Sequence, residues 1–445
     1  MNIKSLIDKK LGPIKEVNRL NNLIEEPKDL AIYSAVVNDI SLYLNWRPDL
    51  VGSGTSFSEK VAFNAAVGEL VERYCGNFVP NELYKKNIAE MNNENFLNPN
   101  IMYQFTKDQF NTKGFPFSVY ENDEEIEWVY GMSLTENKKY WIPAEFVFLN
   151  YSLYRKKIYK QRPILLSGIA AGVGITNATI SALLEIIERD TTMLWWIGRQ
   201  SQLKIIVNKN SRVYKKILQS LHNSLKIEWY LLPSDFEVYT VACLLEDFKN
   251  HIYTVGFATR FDAELSLEKS AAEAFQLRRF SLDLLNIESP IWNNPKYQSI
   301  LGLKKYREDR KYSQSFASDW SNMTSLLHNV QYFLDKSAWE NTRKRFISKK
   351  FIELKKLRLI KTPNKINYLI NEFKQNKISA YLVDVTTDDI KQTGLKVVRV
   401  ISPEACPNMP TAYPMLANKR LLKVAKGNKG VMEEDMFDLS PLPHS

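Results

Sequence analysis

Cysteine is scarce in this 445-residue chain: Cys75, Cys243 and Cys406 stand far apart and form no CxxC pair. That argues against a disulfide framework and against a cysteine-built zinc site within the chain. There are four histidines, and none joins a Ser or Cys in a convincing nucleophile–base constellation. No apolar run approaches the roughly 20 residues that span a bilayer. The opening stretch MNIKSLIDKKLGPIKEVNRL is charged throughout and has no apolar signal core. Secretion and membrane insertion are therefore not expected, and a cytoplasmic location is. No low-complexity linker divides the chain, and no nucleic-acid-binding motif is recognisable.

The composition includes 44% hydrophobic and 12% aromatic residues, enough for a substantial core. The net charge is +10. Its clearest cluster, KSAWENTRKRFISKKFIELKKLRLIK (Lys336 to Lys361), has apolar residues at helical intervals and is expected to form one or two amphipathic helices. With no nucleic-acid motif, the expected complement is an acidic peptide or an acidic partner surface.

A motif, Glu-x-x-Glu-Arg, occurs twice, each time after a Gly- and Ala-containing lead-in. GSGTSFSEKVAFNAAVGELVERYC carries Glu69, Glu72 and Arg73; SGIAAGVGITNATISALLEIIERD carries Glu185, Glu188 and Arg189. Residues three apart share a helix face, so each copy presents two carboxylates side by side. One reading is a solvated helix face with weak ion pairs. The other starts from the apolar residues around both pairs, because buried acids need partners. Two such helices facing one cleft would make an acidic cage for Mg²⁺ and a nucleotide.

Around these helices the pattern is strand pairs alternating with long helices. Residues 1–30 are expected to be a helical or irregular lead-in, and Ala31 to Asp39 a strand. The first motif helix should span Ser58 to Phe78, stopping before Pro80, and residues 86–116 should be the most loop-like part. IEWVYGMSL and YWIPAEFVFL form an expected hairpin, as do EVYTVACLLED and IYTVGFATR. The second motif helix should run from Asn177 to Trp196, with Thr176 or Asn177 as its N-cap. YLVDVTT and LKVVRVIS are the last expected strands. The fold class is α+β, in one large domain over residues 31–445 after the lead-in, with mixed or antiparallel sheets; the two motif copies hint at a duplicated half.

These stretches, taken in order, resemble the YcaO family of ATP-dependent peptide-backbone-modifying enzymes. ALLEIIERD, WVYGMSL with WIPAEFVFL, GFATRFDAELSLEKSAAEAFQLRR and VVRVISPE all fit, from about Ala31 to the C-terminus. The ending, DLSPLPHS over residues 438–445, is similar to the proline-alternating tail of azoline-forming members. The resemblance implies a cyclodehydratase. A Cys, Ser or Thr side chain of a ribosomal precursor peptide attacks the preceding amide carbonyl, ATP phosphorylates the oxyanion, and phosphate leaves as the ring forms. Positioning and electrostatics would supply most of the catalysis.

By the same resemblance, Glu69, Glu72, Glu185 and Glu188 are the expected Mg²⁺ ligands around ATP. Arg73 and Arg189 would brace these carboxylates or contact phosphate. Glu273, Gln276 and Arg278 match a further polar helix face that lines the nucleotide pocket or forms structural ion pairs. Pro441, Pro443, His444 and Ser445 would lie at the active site, where His444 or the carboxylate of Ser445 accepts or relays a proton. Where many relatives carry small polar residues and a Glu before the second pair, this chain has Ala170 to Gly174 and Asn177. No peptide-recognition module is evident before Ala31, so a separate leader-peptide-binding partner is expected, with a flavin-dependent azoline dehydrogenase as a further partner and a homodimer as a further expectation. Nucleic acid and membrane are not expected partners. Thioamide or macroamidine formation, and a catalytically silent scaffold, are the competing readings.

Overall fold

A computed structural model describes residues 3–9, 12–38, 51–155, 165–293, 301–427 and 436–444. Strands β1 (Ile14–Leu20), β2 (Ala31–Val37) and β3 (Val51–Ser56) form an antiparallel sheet. The lead-in is thus not helical or irregular throughout. Ile14, Val17 and Leu20 have helix-like spacing, but antiparallel pairing with β2, with one register irregularity between Ile14 and Glu16, makes the segment a strand. From β3 the chain enters helix α1 (Glu59–Gly76), which ends before Pro80 as expected.

β4 (Tyr84–Lys86), β5 (Ile126–Ser133) and β6 (Lys138–Pro143) follow, the last two as the expected hairpin. The stretch between β4 and β5 is mostly irregular, yet Met91, Leu97, Met102 and Phe105 anchor it in the core. β7 (Ile169–Val173) runs into α2 (Gly174–Ile197). This helix starts three residues earlier than expected and is not capped by Thr176 or Asn177: Val173 is the N-cap and makes no side-chain capping bond. Asn177 instead donates its amide back to the Val173 carbonyl, 2.8 Å.

β8 (Leu203–Ile206), β9 (Leu225–Leu231), β10 (Tyr239–Asp247) and β11 (Ile252–Arg260) lead to α3 (Ala263–Leu285), capped by the Asp262 side chain. The expected amphipathic helices over 336–361 are largely absent. Only Lys336–Thr342 is α-helical, followed by a 3₁₀ turn at Arg343–Phe346 and β12 (Phe351–Glu353). Pairing of β12 with β8 overrides the helical spacing. β13 (Tyr381–Asp384) and β14 (Leu395–Ile401) complete the sheets.

The other two sheets are ordered β11-β10-β9-β8-β12 and β4-β5-β13-β14-β7, with β6 added beside β5. The fold is α+β, with antiparallel and mixed sheets and long helices. A strand-then-helix unit recurs three times: β3–α1, β7–α2 and β11–α3. Each helix packs on its own strand and reaches the next unit: α1 touches β7, α2 touches β11, and α3 touches β3. The three units therefore close into a ring.

Close backbone approach makes these contacts possible. A Cβ at Gly54 would lie 2.1 Å from the Ala62 carbonyl oxygen and 2.3 Å from the Ala66 nitrogen. At Gly256 it would lie 2.1 Å from the Ser270 carbonyl oxygen. No real Cβ fits at such distances, so glycine lets helix backbone rest on strand backbone. Among the described residues, no helix is long and apolar enough to cross a membrane.

Candidate active site

The ring gathers the motif acids. In each unit the first acid accepts from its own strand or the turn that opens it: Ser53 N–H to Glu69 (2.6 Å), Gly168 N–H to Glu185 (3.0 Å) and Phe257 N–H to Glu273 (3.3 Å). The residue three positions on reaches the next unit. Glu72 accepts from Ala171 N–H of β7 (2.7 Å), and Glu188 from Thr259 N–H of β11 (2.9 Å). In α3 that place is taken by Gln276, which accepts from the Thr55 hydroxyl of β3 (3.0 Å) and donates to Ser53 Oγ (2.6 Å). Glu-x-x-Glu, Glu-x-x-Glu and Glu-x-x-Gln thus hold equivalent places, a third copy hidden in sequence by the amide.

Carboxylates gathered this way raise one another's proton affinity. Burial, with the charges of Glu185 and Glu69 added, pushes Glu72 up to about 8 against the single hydrogen bond from Ala171. Burial and the neighbouring Glu273 likewise raise Glu188. Glu185 is raised by burial. Burial opposes ionisation of Glu273 too, but Lys269 (3.3 Å) and Arg189 outweigh it, and its pKa is lowered. Arg189 stays charged among these acids, its pKa raised by Glu188, Glu185 and Glu273 in spite of burial.

The expected cage is not preassembled. Among the described residues, no group of three His, Cys, Asp or Glu side chains is positioned to hold a metal. Each acid turns instead toward a backbone N–H, whose hydrogen bond offsets part of the cost of burying a carboxylate.

The tail reaches this site. The Trp196 indole donates to the Ser440 carbonyl (2.8 Å), Leu442 enters the core, and Val255 N–H on the edge strand β11 donates to the Pro443 carbonyl (3.0 Å). His444, 5% exposed, has Nδ1 2.8 Å from the Val255 carbonyl and Nε2 2.7 Å from the Arg189 guanidinium. The acceptor at Val255 assigns the proton to Nδ1, leaving the Nε2 lone pair for Arg189. Burial and the Arg189 charge hold His444 down at about 4, so its imidazole is neutral. This geometry suits an anchor rather than the proton relay expected from sequence, because the basic nitrogen is already occupied. Ser445 lies outside the described residues.

The remaining candidates divide. Arg73 braces Glu69 at 2.6 Å, and Arg189 lies 3.9 Å from Glu188. Arg278 points elsewhere: fully buried, it pairs with Asp247 (2.7 Å) and Glu26 (3.5 Å), the structural ion-pair reading. Sequence reasoning missed Ser53, Thr55, Ala171 and Thr259, which act mainly through backbone or a single hydroxyl and leave no motif. It also missed Arg399 of β14, which donates to the carbonyls of Phe146 (3.0 Å), Ser167 (2.6 Å) and Leu165. Arg399 thereby fixes the turn whose Gly168 N–H holds Glu185.

Residues 53–406 match the family described as YcaO cyclodehydratase, ATP- and Mg²⁺-binding. The chain belongs to the YcaO cyclodehydratase family. Its fold is similar to a heterocyclase solved in complex with substrate and cofactor: TM-score 0.72 at 17% identity, over 99% of this chain and 56% of the other. The chain thus spans little more than half the length of that protein. A YcaO protein from Methanopyrus kandleri, bound with AMPPCP and Mg²⁺, gives TM-score 0.58 at 17% identity, covering 89% of this chain and 90% of that one. The E. coli microcin synthetase McbBCD complex contributes a chain with TM-score 0.54 at 16% identity, over 87% of both.

ATP and Mg²⁺ are the cofactors of this YcaO chain. The donor set fits them. Paired carboxylate oxygens suit a hard cation, and Mg²⁺ ordinarily takes one or two carboxylates together with phosphate oxygens and water rather than an all-protein cage. Burial, with the charges of Glu185 and Glu69 added, raises the Glu72 pKa, so a cation beside these acids would favour its ionised form.

Proposed function

We propose that this chain is an azoline-forming cyclodehydratase. It converts Cys, Ser or Thr residues of a ribosomal precursor peptide to thiazolines or oxazolines at the expense of ATP. The observation that carries this reading is the meeting of the proline-containing tail with the acid ring, through His444 on Arg189 beside Glu188.

In this reading Glu69, Glu72, Glu185 and Glu188 hold Mg²⁺ around the ATP phosphates, with Glu273 and Gln276 completing the pocket wall. Mg²⁺, when bound, neutralises phosphate charge and lets the γ-phosphate approach an oxyanion. Arg189 stays charged among the acids and orients Glu188. His444 is a positioning residue: it accepts from Arg189, donates to Val255 and seats Pro441 and Pro443 along β11. The docked tail walls off water from the reacting amide oxygen. Leader capture belongs to a separate protein, a division of labour supported by the likeness to a chain of the microcin synthetase complex.

The test combines the full chain with Mg·ATP, a precursor peptide and its leader-binding protein, followed by mass spectrometry. One water should be lost per ring, mapped by fragmentation to Cys, Ser or Thr. A variant lacking Pro441 to Ser445 should form no rings while still binding nucleotide by calorimetry. Normal ring formation by that variant would overturn the tail's role, and ATP-dependent products that retain the water would overturn azoline formation.

A further inference from the structure

A groove of about 530 Å³ lies between the end of the five-stranded sheet and the helix Lys365–Gln375. Its walls are mainly apolar, with Leu203 of β8, Leu231 of β9, Phe236, Ile360 and Tyr368 among them. Ser201 and Glu237 stand exposed at its rim.

The basic stretch Lys349 to Lys361 runs beside it. Lys350 accepts from Lys204 N–H, next to Leu203 (3.0 Å), and the Arg358 carbonyl accepts from the Tyr239 hydroxyl at the groove wall (2.8 Å). Two residues on, Ile360 enters the wall itself, its N–H bonded to the Phe261 carbonyl (3.0 Å). Six cations are exposed here: Lys349, Lys350, Lys355, Lys356, Arg358 and Lys361. Against them the stretch has one acid, Glu353, which pairs with Lys355 at 2.8 Å. Among the described residues no carboxylate pairs with the other five. Apolar side chains stand between the charges, with Phe351 60% and Leu359 53% exposed.

Unbalanced cations cost little on a surface, but like charges packed this densely repel one another and favour an anionic partner. An apolar groove beside them needs an apolar side chain, which polynucleotides do not offer. We propose that this groove and its basic rim dock an acidic polypeptide segment, whose carboxylates meet Lys355, Lys356 and Arg358 while a large apolar side chain fills the groove. A polypeptide that carries both acidic residues and a large apolar side chain uses both halves of the surface, charge and apolar pocket. None of the motif acids lines this groove, so its occupancy can be tested apart from ATP turnover.

The probe is a fluorescent peptide of about twelve residues, Asp and Glu flanking a central Leu-Phe pair, titrated into the full chain by anisotropy. Companion titrations use its Lys-for-acid counterpart, a duplex oligonucleotide and phosphatidylglycerol vesicles. The acidic peptide should bind with strong salt dependence. The triple variant K355E/K356E/R358E should weaken it by roughly tenfold or more. Ser201→Trp, which fills the rim, should weaken it with the charges intact, and ATP turnover should be unchanged in both variants. Equal binding by the triple variant, or tighter binding of the oligonucleotide or the vesicles than of the peptide, would overturn the proposal.

Discussion

Glu72 is poised between two protonation states near neutral pH. Its carboxyl moves from 4.5 to about 8 on folding, so between these values the folded protein holds a proton that the unfolded chain has released. Stability from this group is complete below about 4.5 and is lost as pH rises toward 8. His444 behaves in the opposite way. Its pKa falls from 6.5 to about 4, so its contribution is lost as pH drops through that window. Between about pH 4.5 and 6.5 the two contributions oppose each other, and above 6.5 only that of Glu72 remains. The nucleotide-free chain should therefore melt at falling temperatures from pH 6.5 to 8, and Mg²⁺ with a non-hydrolysable ATP analogue should flatten the slope. Glu72→Gln should raise the nucleotide-free melting temperature at pH 8 by roughly 2–5 °C, while cutting ATP turnover by about a hundredfold. Thermal melts and phosphate release measure both. A pH-independent melting temperature would remove the raised carboxyl from the account.

Strand–helix contact through glycine is the element that sets the site's dimensions. At Gly54 the helix backbone occupies the space a side chain would need. Gly54→Ala should push α1 away from β3 and lengthen the Ser53 to Glu69 bond, costing about 1–3 kcal/mol. ATP affinity should fall along with stability, as denaturant melts and nucleotide titrations would show; unchanged affinity would uncouple the contact from the site. These helices were legible in sequence because their apolar periodicity is long, and the motif acids interrupt it at a fixed spacing. The hairpins were legible from β-branched runs on either side of a polar turn. What stayed hidden depends on tertiary contact. The stretch Lys336 to Lys361 has helical spacing, yet β8 offers an edge and takes Phe351–Glu353 as a strand. Within the site, the spacing of Glu69 and Glu72 could be read. That one faces its own strand and the other the next unit could not, because the backbone N–H groups of Ala171 and Thr259 are common to any sequence. Gln276 escaped notice as a repeat because an amide stands where the other two helices carry an acid.

At the scale of the whole molecule, the three units are linked in a closed order, α1 to β7, α2 to β11 and α3 to β3. A linear array can fray from either end and leave its middle intact. A closed one has no end, and opening one joint strips its neighbours of a backbone partner for a buried carboxylate. The amide protons of Ser53, Ala171 and Thr259 lie on three different sheets and far apart in sequence. They should nonetheless exchange with solvent deuterium as one group, with a common opening free energy that Mg·nucleotide raises for all three together. Three independent exchange rates, each with its own response to nucleotide, would mean that the sheets open separately. Shared exchange would make the nucleotide pocket a latch on the fold, so that loss of grip anywhere in the molecule is felt first as loss of ATP.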